Sequence, residues 1–130
     1  MSSFNLLQIV PKLNSGGVER GTIDVANYLS KNNISNSIIS NGGEMLKELN
    51  YHFTDHYKLP VNTKNFFNYL ILARKIEKYV IEKKINLIHV RSRGPAWIVN
   101  LLKKEKVKTI STFHNVYGGE FFLKKFYNKG

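Results

Sequence analysis

The chain has 130 residues, no cysteine and a formal net charge of +11. It is one domain's worth of polypeptide, long enough to build a core from apolar packing alone. Disulfides, thiolate metal sites and thiol nucleophiles are excluded, which fits a reducing compartment.

No basic segment precedes the first apolar run, and Leu6 to Val10 is too short for a signal-peptide core. The longest other apolar run, Tyr69 to Ala73, falls far short of the roughly 20 residues a membrane-spanning helix needs. A soluble or peripheral chain is expected. Asn5 to Val10 (NLLQIV) is a nearly continuous apolar run, the pattern of a strand covered on both faces. Pro11 ends it, Asn14-Ser15-Gly16-Gly17 is loop, and apolar residues at Val18, Ile23, Val25, Ala26 and Leu29 predict an amphipathic helix to about Lys31. Asn36 to Ser40 predicts a second strand closed by Asn41-Gly42-Gly43, followed by a short helix over Glu44 to Leu49. Tyr57 to Pro60 reads as a brief third strand. Asn65 to Lys84 is the longest helix, with a stripe of Phe66, Leu70, Ala73, Ile76 or Glu77, Val80 and Ile81 expected to face the core. Ile85 to Val90 is a fourth strand, Pro95 opens a helix running to Lys104, Val107 to Phe113 is a fifth strand, and Glu120 to Asn128 is expected to form a last helix. Strands alternating with helices of this length imply an α/β, Rossmann-like parallel sheet of about five strands flanked by helices. In such a sheet, ligands sit at the carboxyl ends of the strands.

The Asn14 to Gly17 loop falls at that edge, ahead of a helix N-terminus. Glycines there let backbone N–H groups approach a ligand, and the helix dipole favours a negative one; a tight turn that merely needs positive φ is the alternative. The spacing of Gly16, Gly17 and Gly21 matches neither G-x-G-x-x-G nor a P-loop, which disfavours a nicotinamide enzyme or a nucleotide hydrolase. Arg91-Ser92-Arg93 follows the fourth strand, where two guanidiniums can grip phosphate or carboxylate, or simply form a solvated turn. His114 and Asn115 follow the fifth strand, and His114 there can donate a hydrogen bond to a sugar hydroxyl or phosphate oxygen. His52 and His56 are spaced four apart but lie in turn and strand sequence, so a solvated pair is expected rather than a metal site, and His89 is expected as a satisfied histidine within its strand.

Residues 1–65 carry six basic and five acidic side chains, whereas residues 66–130 carry fourteen and four. A basic half attracts anionic surfaces, either nucleic acid or membrane headgroups. Lysine, asparagine and isoleucine are abundant together, as in AT-rich coding sequence, which dilutes what the charge implies. Most of the aromatics among these lysines, including Phe66, Phe67, Tyr69 and Trp97, are expected to pack in the core or between helices. Phe121 to Tyr127 (FFLKKFY) is the stretch that could lie on a membrane surface or against protein outside this chain.

The blocks LLQIVPKLNSGGVERGTIDVANYLSKNNISNSIISNGG, KLPVNTKNFFNYL, INLIHVRSRGPAWIV and TISTFHNVYG together resemble, in order and spacing, the N-terminal half of family 4 glycosyltransferases of the two-domain GT-B type. The resemblance runs from about Leu6 to Tyr127. It implies transfer of a sugar from a nucleotide-sugar donor to an acceptor, with retention at the anomeric carbon, no cofactor and no obligatory metal. By the same resemblance Gly16 and Gly17 would approach the donor diphosphate, His114 and Asn115 would line the cleft as the catalytic and substrate-binding residues of the fifth strand end, and Arg91, Ser92 and Arg93 would contact the acceptor. GGVERGT with RSR-PAW is similar to enzymes that build lipopolysaccharide or other envelope glycans, which implies a cytoplasmic protein, peripheral at the inner face of the cytoplasmic membrane.

The resemblance also implies a second Rossmann-like domain carrying most donor contacts, whose basic pair and glutamate pair have no counterpart in these 130 residues. The chain is therefore expected to be a split or truncated transferase, or one subunit of a two-chain enzyme, inactive alone. The competing expectation is a non-catalytic basic Rossmann-like module that binds nucleic acid or anionic membrane. A transferase domain would be indifferent to nucleic acid, whereas a lysine-driven binder would show steep salt dependence.

Overall fold

A computed structural model describes residues 4–103, 107–114 and 121–127. Its elements follow in the order β1 (Leu6–Ile9), α1 (Gly17–Lys31), β2 (Asn36–Ser40), a 3-10 turn (Glu44–Glu48), β3 (Thr54–Lys58), α2 (Phe67–Lys83), β4 (Leu87–Val90), α3 (Arg93–Val99), β5 (Lys108–His114) and β6 (Phe121–Tyr127). The six strands form one sheet in the order β3-β2-β1-β4-β5-β6. The first five pair in parallel, and β1, the central partner of both β2 and β4, is completely enclosed. This is the α/β, Rossmann-like parallel sheet implied by the alternating pattern.

Alternation along each strand divides the core. Leu7, Ile9, Ile39, Ile88 and Val90 pack under α2 and α3 with Tyr69, Leu72, Ala73, Ile76, Val80 and Ile98. The opposite faces of β1 and β2 supply Val10 and Ile38, which pack with Ile23 and Ala26 of α1 and with Leu13, Met45 and Leu49. Helix α1 is further tied to the 3-10 turn by Arg20 Nη2 to Glu48 Oε1 at 2.8 Å and Asn27 Nδ2 to the Glu48 carbonyl at 2.9 Å.

Four expectations change. The final helix expected over Glu120 to Asn128 is instead strand β6, antiparallel to β5 from Lys108↔Tyr127 to His114↔Phe121. Its aromatic-rich FFLKKFY suits an extended backbone, and pairing supplies β5 with the partner it lacks on that side. The buried stripe of α2 is also rotated: Tyr69, Leu72, Ala73, Ile76 and Val80 are buried, while Phe66, Leu70 and Ile81 are exposed. Trp97 and Phe67, expected in packing roles, are exposed as well. Finally, β3 starts earlier than Tyr57, because Thr54 is buried and its hydroxyl donates to the Ala26 carbonyl at 3.2 Å.

Candidate functional site

The carboxyl ends of β1, β2, β4 and β5 bring together the 11–17 loop, the 41–45 loop, Arg91 to Arg93 and His114. The first loop is held by the second. Leu13 N–H donates to the Gly42 carbonyl at 2.9 Å, Met45 N–H to the Leu13 carbonyl at 2.9 Å, and Asn41 N–H to the Pro11 carbonyl at 3.0 Å. With Leu13 sunk into the core, Asn14, Ser15, Gly16 and Gly17 stand exposed above it.

The glycines at this clamp have different physical jobs. Gly43 has φ 155°, and a Cβ there would lie 2.4 Å from the backbone carbon and oxygen of Leu13. Only glycine allows that approach. Gly16 also has φ 155° as the residue preceding α1, and its added Cβ would meet the Glu19 carboxylate. At Gly17, the first residue of α1, an added Cβ would meet nothing within 4 Å. Neither packing nor a left-handed backbone requires glycine at that position, so the space above it is open to a ligand. A shallow cavity of about 180 Å³ adjoins the loop, lined by Ser15, Gly16, Arg20, Glu44, Met45, Lys47 and Glu48. A larger depression of about 290 Å³ lies at the amino ends of the strands around Asn36, Asp55 and Lys83. The carboxyl edge is the better candidate, because the loops and helix N-terminus that can receive an anion gather there.

Arg91 turns back into the protein. Its Nε and Nη2 both donate to Gln8 Oε1, at 3.0 and 2.8 Å, and Gln8 Nε2 donates to the Thr22 carbonyl at 3.1 Å. Gln8 is fully buried in the central strand. Arg91 therefore ties β4, β1 and α1 together and fixes its guanidinium beneath the first turns of α1, with Nη1 near Gly21. Burial lowers its pKa from the usual arginine value. Two of its donors are already engaged, so it is not the free phosphate grip its position in the sequence suggests. Ser92 is half-buried at the start of α3, where its carbonyl accepts from Ala96 N–H at 3.1 Å, and Arg93 is exposed as the first residue of α3.

His89 lies on β4 and shares a hydrogen bond with Thr112 Oγ1 at 3.1 Å. Burial, reinforced by the nearby Arg91 charge, pushes its pKa down to about 4. The expected solvated pair of His52 and His56 does not form: His52 is exposed with its ring edge against Phe53. His56 is half-buried 2.7 Å from Ser40 Oγ, its pKa lowered by burial and then by Lys58. Among the described residues no three His, Asp or Glu side chains gather as a metal site would require. His114 ends β5 at the same sheet edge as the glycine loop. Its side chain, and all of Asn115, lie outside the described residues.

The comparison with protein families decides what this sheet edge belongs to: the Glycosyltransferase Family 4 model matches residues 15–129. The chain belongs to glycosyltransferase family 4. The solved structure of a glycosyltransferase from Rickettsia africae ESF-5 is similar to it, with 42% identity and a TM-score of 0.77. The match covers 90% of this chain and 31% of that one, so the chain spans about a third of its solved relative. No match was found among curated proteins.

Within this family 4 domain, two residues that shape the loop edge escaped sequence reasoning. Gln8 looked like a polar interruption of an apolar strand, and its signal was the burial that a central strand imposes on every position. Gly43 looked like the end of a turn, and only the three-dimensional approach of Leu13 reveals its role.

Proposed function

We propose that this chain is the acceptor-side domain of a retaining transferase, moving a hexose from a nucleotide-sugar donor to an envelope glycan or lipopolysaccharide-type acceptor. The open backbone at Gly17 carries the reading. In a family 4 domain, an exposed loop and helix N-terminus at the carboxyl edge offer N–H groups and a favourable dipole to the diphosphate. During transfer the bond from the anomeric carbon to the diphosphate oxygen breaks, a bond to the acceptor hydroxyl oxygen forms, and the hydroxyl proton passes to the departing diphosphate and on to solvent. The departing diphosphate gains charge, and fixed donors at Gly16 and Gly17 would favour it more than the intact donor. His114 would hydrogen-bond the transferred sugar, with Asn115 beside it, while Ser92 and Arg93 would face the acceptor. Arg91 would act by holding β4 and α1 in place and by lending positive charge to the edge.

In this reading no metal or cofactor is obligatory, and the remaining donor contacts come from a second domain outside these residues. The 130-residue chain alone would not turn over. Nucleic acid is not a partner in this reading. The donor and a lipid-linked acceptor place the protein in the cytoplasm, peripheral at the inner face of the cytoplasmic membrane. No helix among the described residues is long and apolar enough to cross a membrane.

Gly17→Leu tests the site in a two-domain protein containing this chain. The side chain would project into open space and improve helix propensity, so thermal stability should hold or rise slightly. Transfer should fall by about 100-fold or more, the scale of losing fixed donors to a developing charge. Normal turnover with Gly17→Leu and with His114→Ala would remove the site from this edge.

A further inference from the structure

Helix α2 is apolar on two opposite sides. At 100° per residue, the buried Tyr69, Leu72, Ala73, Ile76 and Val80 form one face. Phe67, Leu70, Ile71 and Ile81 lie on the reverse and are exposed, with Phe67 at 89% and Ile71 at 57%. A helix that only covered a sheet would be polar there.

The α3 segment lies beside α2 in matching order. Tyr69 Oη is 3.9 Å from where a Cβ on Gly94 would stand. Farther along, Arg74 Nη2 donates to the Leu101 carbonyl and Lys103 N–H donates to Glu77 Oε2. Between these meeting points Trp97 is 63% exposed and Leu101 40%. Large exposed apolar side chains gathered on two neighbouring segments mark an interaction surface.

The surrounding charge says what kind. Residues 61–82 and 92–103 together carry six basic side chains and two acidic ones, Glu77 and Glu82. Glu77 is occupied by Arg74 at 3.3 Å and by the Lys103 amide, and Glu82 lies 3.9 Å from Lys78. Lys64, Lys75 and Lys78 are exposed around the apolar patch. Aromatic and aliphatic side chains framed by lysines, with a tryptophan among them, suit the boundary between anionic headgroups and acyl chains. Both α2 and α3 begin on the carboxyl side of the sheet, so the patch starts at the end where the glycine loop lies.

We infer that the outer face of α2, together with Trp97 of α3, docks the domain on an anionic lipid surface, inserting Phe67, Ile71 and Trp97 at headgroup depth. Membrane contact thereby moves from Phe121–Tyr127, which pairs in the sheet as β6, to the N-terminal half of α2. The inference rests on the peripheral location proposed above but not on the transfer chemistry, and either can fail while the other stands.

Trp97 is the chain's one tryptophan, so its emission reports directly on the patch. The 130-residue chain is titrated with phosphatidylglycerol-containing vesicles and, separately, with phosphatidylcholine vesicles. A blue shift and protection from iodide are expected with the anionic vesicles and little change with the zwitterionic ones. Lys75→Gln or Lys78→Gln should weaken binding about fivefold at low salt, given the typical contribution of one basic residue near such a surface. Phe67→Ser with Ile71→Ser should abolish it while circular dichroism stays unchanged, since both side chains are exposed. The inference is overturned if anionic vesicles leave the emission unmoved, or if the double variant binds as well as the parent. It is equally overturned if the blue shift appears without lipid as protein concentration rises, which would make the patch an interface between copies.

Discussion

At the scale of single residues, the polar groups of the α1 side decide the geometry of the site edge. Gln8, Arg91 and Thr22 form one chain of hydrogen bonds, and His89 sits beside it on β4, bonded to Thr112. His89 stays neutral in the folded protein down to about pH 4, against 6.5 for the free group. As pH falls from about 6.5 toward 4, the unfolded chain takes up a proton that the folded chain refuses, so folding stability drops across that window and levels off below it. Because the ring is only part-buried, solvent screening limits the effect to about 1–2 kcal/mol. His89→Gln keeps a partner for Thr112 and does not titrate. Denaturant midpoints at pH 7 and pH 5 should differ less in that variant than in the parent, and an unchanged difference would reject the assignment. A satisfied histidine in strand β4 was legible from INLIHV. The inward turn of Arg91 was not, because its acceptor, Gln8, is 83 positions away in the chain.

At the scale of elements, the strand-loop-helix unit from β1 to α1 was readable because its signals are local: an apolar run, a proline, two glycines and helical spacing. Its clamp was not, since Gly43 belongs to another loop. Gly43→Ala should place a Cβ into the Leu13 backbone and cost about 3 kcal/mol. For a domain of this size that lowers the melting temperature by roughly 10 °C. Gly17→Leu, only a helix residue as far as the fold is concerned, should not lower it. Equal losses in the two variants would mean that the glycines differ less than the clamp implies. Helix α2 misled sequence reasoning because apolar residues occur on both of its sides, and periodicity alone cannot say which side meets the sheet. The last segment failed for another reason: seven residues rich in aromatics fit either a short helix or a strand, and the open side of β5 settles the matter through pairing.

At the scale of the whole molecule, the strand order places β1 and β4 at the centre and gathers their loops on one edge. The alternation of strands and helices made that architecture legible, and the four sequence blocks made the family legible, because both depend on spacing along the chain. Donor and acceptor identity was not, since the chain spans 31% of its solved relative. The central claim is that this domain supplies one wall of a sugar-transfer site and needs a second domain for turnover. Its most direct test measures transfer from labelled nucleotide sugars to an envelope-lipid acceptor, by the 130-residue chain alone and by the same chain joined to a family 4 donor domain. Turnover is predicted only for the joined protein; turnover by the chain alone, or none by a correctly folded joined protein across the common nucleotide sugars, would contradict it.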